Sequence, residues 1–134
     1  MGTERTPDAD TALGRVRDLV GRFPEAELQP TSPYGHTGFA VRGRKFAWLT
    51  VDHHDDGRLA LWVKSTHEEQ AALVEADPAR YFVPPYEGPN GWVGVLLDPA
   101  SDPDWGRVAE LLEAAWRSRA PKRALAAYDA ISDR

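Results

Sequence analysis

The 134-residue chain has no cysteine, one methionine and no apolar run approaching 18 residues. Without cysteine there are no disulfides, no thiolate metal sites and no thiol nucleophile, a composition suited to a reducing compartment. Without a long apolar run there is no candidate transmembrane helix. Met1 to Asp10 has neither a basic n-region nor an apolar h-region, so the expectation is a cytoplasmic protein with no membrane partner. Also missing are a Gly-x-Ser-x-Gly elbow, a Gly-rich loop opening a helix and a carboxylate pair in an apolar setting. No catalytic residue is therefore assigned, the protein is read as a non-enzyme, and no cofactor is expected. Positive charge is scarce too: 16 Lys and Arg face 21 Asp and Glu, a net charge of -5, which disfavours a chain whose main task is wrapping nucleic acid.

What the chain does have is tryptophan, five of them, with 11 prolines and 11 glycines. These residue types concentrate in Tyr81 to Asp98, which holds Pro84-Pro85, Gly88, Gly91 and the rings of Tyr81, Phe82, Tyr86 and Trp92. Prolines fix φ and remove donors while glycines permit the turn, so this stretch is expected to form a rigid aromatic wall leading into a strand.

Residues 1–10 are polar and read as a flexible N-terminus, with 11–134 as one domain large enough to hold together without metal or disulfide. Ala12, Leu13, Val16, Leu19, Val20 and Phe23 recur at helical spacing up to Pro24. Glu25 to Pro33 reads as an edge strand at best. Phe39 to Val41, an Arg42-Gly43-Arg44 turn and Lys45 to Asp52 form a hairpin, followed by Arg58 to Lys64. Thr66 and Glu69 make a capping box for a helix that stops near Asp77-Pro78. After the strand Trp92 to Leu97, Asp102 as N-cap with Pro103 at the first position opens a helix carrying Trp105, Val108, Leu111, Leu112, Ala115 and Trp116 on one stripe. Pro121 restarts a last helix.

Parity separates the strand faces. One receives Ala47, Leu49, Val51, Leu59, Leu61, Val63, Val93, Val95 and Leu97, and should take the helices. The other receives Phe46, Trp48, Trp62 and Trp92 beside small Thr50, Ala60 and Gly94. Large rings flanking small residues make a shallow concavity, which marks a contact surface unless a helix or a homodimer partner covers it.

His36-Thr37-Gly38-Phe39, Lys45-Phe46-Ala47, Phe82-Val83-Pro84-Pro85-Tyr86, Gly91-Trp92-Val93 and Asp104-Trp105 through Trp116 occur in an order that resembles the MmcQ/YjbR family of small bacterial proteins. The resemblance implies a CyaY-like, frataxin-like α+β fold: an N-terminal helix, an antiparallel sheet of about five strands, and C-terminal helices packed on one sheet face. The family is labelled DNA-binding from a "double wing" likeness, some members sit in antibiotic gene clusters, and no reaction, catalytic residue or cofactor is implied. Helix one lacks the continuous acidic ridge with which frataxin-like proteins hold iron.

His53-His54-Asp55-Asp56 has metal-ligand residue types, but neighbours on a turn point apart, so it reads as a solvated turn and no metal site is assigned. His36 is placed to hydrogen-bond a ligand at the wall. Two partners compete. A planar aromatic small molecule would use His36, Phe46, Trp48, Trp62, Tyr86 and Trp92, in a sequestering or antibiotic self-resistance role; DNA would use Arg42, Arg44, Lys45 and Lys64 on the hairpin wing.

Overall fold

The computed structural model describes residues 7–132. Helix α1 (Pro7–Val20) leads to β1 (Ala26–Leu28), β2 (Thr37–Val41), β3 (Arg44–Val51) and β4 (Leu59–Val63). Helix α2 (His67–Ala76), β5 (Tyr81–Phe82) and β6 (Val93–Leu96) follow, then α3 (Trp105–Arg119) and α4 (Lys122–Ser132). Of the N-terminal stretch read as flexible, residues 1–6 lie outside the described residues. Residues 7–10 are the first turn of α1, where Ala9 is buried.

All pairings are antiparallel, in the order β1-β2-β3-β4-β6-β5. The fold is α+β, and the strand beyond the expected five is the two-residue β5, too short to carry an alternation of its own. The β2–β3 hairpin turns on Arg42 (φ 54) and Gly43 (φ 75), the paired left-handed residues of a tight turn matched to strand twist. Thr66 Oγ1 accepts from the Glu69 N–H at 3.1 Å, so the capping box opens α2 as the spacing predicts. The start of α3 differs. Asp102 is left-handed (φ 49) and closes a 3-10 turn over Pro99–Ser101, so Asp104 becomes the cap, accepting from the Arg107 N–H at 3.1 Å.

Leu49, Val51, Leu59, Leu61, Val63, Val93, Val95 and Leu97 form one core with Val16 of α1 and Val108, Leu112 and Trp116 of α3. Trp116 is fully buried, stacks on Phe23 at 5.1 Å between ring centroids and donates its indole N–H to Pro24 O at 3.2 Å. Tyr128 meets both rings edge-on, which docks α4. Burying these aliphatic and aromatic side chains, each contributing about 1.5–3 kcal/mol, is what holds the helix layer on this face.

Phe46 departs from the parity expectation. β2 pairs Phe39 with Ala47 and Ala40 with Lys45, skipping Phe46. A bulge of this kind puts two successive side chains on one side. Phe46 therefore joins Ala47 in the helix-side core, fully buried, and leaves the aromatic face. The register sets the remaining rings in one cross-strand row, Gly38–Trp48–Trp62–Gly94–Phe82. The two glycines give the rings room to lie down. A Cβ on Gly94 would stand 2.4 Å from the Phe82 ring, and one on Gly38 would stand 3.3 Å from Trp48.

Gly94→Ala is expected to destabilise the protein by about 1–3 kcal/mol through overpacking. In a Phe82→Ala background the same change should cost little. Urea unfolding of the four proteins in the cycle checks this, and equal costs in both backgrounds would refute the packing of Phe82 on Gly94.

Candidate ligand-binding site

Among the described residues no α-helix packs into the cluster on the second face of the sheet; its cover comes from the Tyr81 to Trp92 segment and the turn after β3. Phe82 packs against the Ala60, Trp62 and Trp92 cluster, with the Arg58 guanidinium 4.2 Å from its ring centroid. Beside this cluster lies an open cleft of about 360 Å3 lined by Ser32, His36, Trp48, Thr50, His53, Trp62, Tyr86 and Glu87. Ligand clefts span about 300–1,000 Å3, so the space accommodates a small molecule.

Its walls come from four parts of the chain. Trp48 and Trp62 face each other across β3 and β4, and Thr50 supplies a small residue one alternation further along. Trp48 is half-buried with the Lys45 ammonium 4.1 Å from its ring, whereas Trp62 is buried. The Trp62 Nε1–H is enclosed without an acceptor among the described residues. A buried donor left unpaired carries a desolvation cost of about 1–3 kcal/mol.

His36 precedes β2 and is fixed by β3, since the Val51 N–H donates to its Nδ1 at 3.1 Å. That bond leaves Nε2 as the protonated nitrogen of the neutral ring, a donor on a side chain that lines the cleft. His53 lies edge-on to Trp62 at 4.7 Å and 5.3 Å from the His36 ring. Burial holds His36 below the ordinary 6.5, and His53 then His54 push it the same way against the weaker opposing pull of Asp56 that ranks between them. His53 is lowered by burial first and by His54 next, with Asp56 opposing. Two neutral imidazoles therefore sit beside the tryptophans at neutral pH.

Tyr86 closes the outer side. Its ring is 6.0 Å from His53, and its hydroxyl stands 3.4 Å from His54 Nε2. It is 70 % exposed and held at φ 66, an uncommon conformation for a bulky residue.

Of the residues predicted for a small-molecule site, His36, Trp48, Trp62 and Tyr86 converge here. Phe46 lies in the opposite core. Trp92 is buried behind Trp62 and supports it without reaching the cleft wall. His53, Ser32 and Glu87 were not anticipated. Asp52 is left-handed (φ 50), so the strand parity that located Trp48 ends just before His53. Among the described residues no group of three His, Asp or Glu is arranged to hold a metal, and no helix is long and apolar enough to cross a membrane.

Of the basic residues predicted for DNA, Arg42, Arg44 and Lys45 lie on the β2–β3 hairpin and Lys64 directly follows β4. Arg42 reaches Glu25 at 4.0 Å and Lys45 lies on Trp48. Arg44 pairs with Val41, a helix-side core residue, and Lys64 lines a groove of about 680 Å3 along α3.

The YjbR family model matches residues 21–118, which include every residue lining the cleft. The chain belongs to the YjbR family. Among solved structures, the crystal structure of protein DR2400 of Deinococcus radiodurans, which carries the family-model domain DUF419, is similar to it. The TM-score is 0.68, with 18% identity over 87% of each chain, a likeness that bears on the fold. No curated protein matches the chain.

The depressed histidines link the stability of this YjbR protein to pH. With folded pKa values below the unfolded 6.5, the unfolded chain takes up protons first. Stability is then fully present above that value and is lost as pH falls below it toward the folded values. Urea midpoints should fall across that window, with a shallower slope in His53→Gln, which removes one depressed group and a neighbour that lowers His36. A midpoint that holds or rises on acidification would contradict the burial of these rings.

Proposed function

We propose that this YjbR protein is a non-catalytic binding protein that takes a planar aromatic small molecule into the cleft between Trp48, Trp62, His53 and Tyr86. The observation that carries this reading is the pair of adjacent tryptophans opening into a cleft on a sheet face that no α-helix covers among the described residues. Rings stacked on tryptophan gain about 1–3 kcal/mol each, largely independent of ring substituents.

The polar groups narrow the ligand. His36 Nε2–H and the unpaired Trp62 Nε1–H are both donors, which suits a ring compound carrying a hydrogen-bond acceptor. Neutral histidines add no formal charge, and Glu87 at the rim disfavours a strongly anionic ligand. Nothing in the cleft is arranged as an activated nucleophile, so the role is to hold, as in sequestration. The alternative reading, DNA binding through Arg42, Arg44, Lys45 and Lys64, draws less support because the hairpin cations are partly engaged within the chain.

Tyr86 separates binding from folding. A bulky residue at positive φ stores about 1–3 kcal/mol of strain, and such strain concentrates where a side chain is held for a ligand. Tyr86→Gly is expected to leave stability unchanged or raise it, while weakening ring binding about tenfold.

Tryptophan fluorescence tests the whole reading. Titration with a panel of flat heteroaromatic compounds should quench emission with an affinity that hardly changes with salt, and Trp48→Ala should lose about tenfold in affinity. Short duplex DNA should give no response at moderate salt. Quenching by DNA that fades as salt rises, with none by any ring compound, would replace this function with the DNA reading.

A further inference from the structure

Several cations of the chain are matched internally. Arg80, Arg107, Arg117 and Arg123 each hold a carboxylate: Asp77 at 3.1 Å, Glu110 at 3.0 Å, Asp129 at 2.7 Å and Glu25 at 2.8 Å respectively. The groove along α3 is consequently neutralised from within, with Glu69 on Arg107 and Glu113 on Arg117. Arg44, Lys64 and Arg119 pair with no carboxylate among the described residues; exposed Arg15, Arg17, Arg22, Arg58 and Lys122 and ring-stacked Lys45 also pair with none, so what sets the three apart is their shared location.

The fold brings these three together. The Lys64 N–H donates to Phe46 O at 2.9 Å, which sets Lys64 beside the first residues of β3. Arg44 is the first residue of that strand and shares the helix side with its partner Val41. Helix α3 lies across β3, and its last residue is Arg119, whose Nε is buried without an acceptor. The Lys64 ammonium is held below the usual lysine range by burial first, then by Arg119, then by Arg44, with no acidic residue offsetting them. The partly buried Lys64 ammonium and the buried Arg119 Nε, beside exposed Arg44 in a chain of net charge -5, favour an anion that joins them.

We propose that Arg44, Lys64 and Arg119 form a binding site for an oxyanion of the phosphate class, at the junction of the first residues of β3, the end of β4 and the last turn of α3. Guanidinium forks and an ammonium match tetrahedral phosphate oxygens through short, charge-assisted hydrogen bonds, and the buried Arg119 Nε–H acquires its missing acceptor. The site is on the helix side of the sheet, opposite the aromatic cleft, and stands independently of what the cleft binds. The same chemistry is offered by free phosphate, by a phosphomonoester and by a nucleic-acid backbone.

The test uses the arginine Nε–H signals of the whole protein in proton–nitrogen NMR spectra. Arg119 is assigned by the signal missing in Arg119→Lys, and exposed Arg22 serves as the control. Inorganic phosphate at millimolar concentration should move the Arg119 signal and leave Arg22 in place, with chloride at equal ionic strength moving neither. Lys64→Gln should weaken the phosphate response about tenfold with the circular dichroism spectrum unchanged. Titrating short duplex DNA then separates the sources. A response at Arg119 tighter than that to phosphate identifies a phosphodiester backbone, and a response to phosphate alone identifies a free phosphate or monoester. An Arg119 signal unmoved by both, or moved equally in Lys64→Gln, overturns the site.

Discussion

Side chains alternate across a strand, so the helix layer that buries one face of a sheet decides what remains on the other. Here α1 and α3 take the aliphatic set around Leu49, Leu61 and Val95, with fully buried Trp116 locked between Phe23 and Tyr128. Everything on the opposite face follows from that choice. Once Leu49 and Leu61 point inward, Trp48 and Trp62 must point outward, and the register sets them side by side. A slip of one residue would exchange the two sets and expose the aliphatic core, so the aromatic row is as firmly specified as the core itself.

The outward face is then finished by backbone that leaves regular structure. Glycines at 38 and 94 let the flanking rings lie flat, the left-handed Asp52 and His54 turn His53 toward Trp62, and Tyr86 stands at positive φ above the opening. Strain of this sort, about 1–3 kcal/mol per residue, persists where surrounding structure over-determines it. Burial beside this turn lowers the affinity of two histidines for protons, so both imidazoles stay uncharged beside the tryptophan rings. Several ion pairs lie on the other side of the sheet. There Arg107, Arg117 and Arg123 are engaged with carboxylates, whereas Arg44, Lys64 and Arg119 pair with none among the described residues.

Much of this was legible in the sequence, and what was not has physical reasons. Alternation in β3, β4 and β6 identified both faces, and the Thr66 to Glu69 spacing identified the start of α2, because those signals are local and periodic. Phe46 was assigned to the wrong face since a bulge adds one residue to a strand without altering its composition. Asp104 rather than Asp102 caps α3 because Asp102 is taken by a 3-10 turn and by Arg80, whose Nη2 lies 3.3 Å from its carboxylate. His53 joined the cleft through a left-handed turn, and Phe82 settled on Gly94 through a two-residue pairing. Both depend on tertiary register and leave no periodic trace. The separation of Lys45 from Arg44 has the same origin, since consecutive strand residues face opposite sides.

The central claim is that the aromatic face is a binding surface, and the five tryptophan indole N–H signals in a proton–nitrogen NMR spectrum address it directly. Trp116, tied to Pro24 O in the opposite core, is the internal reference. On addition of a flat heteroaromatic compound carrying an acceptor, the Trp62 and Trp48 signals should move while that of Trp116 stays fixed. Movement of Trp116 with Trp62 unmoved would place the ligand on the helix side and contradict the account.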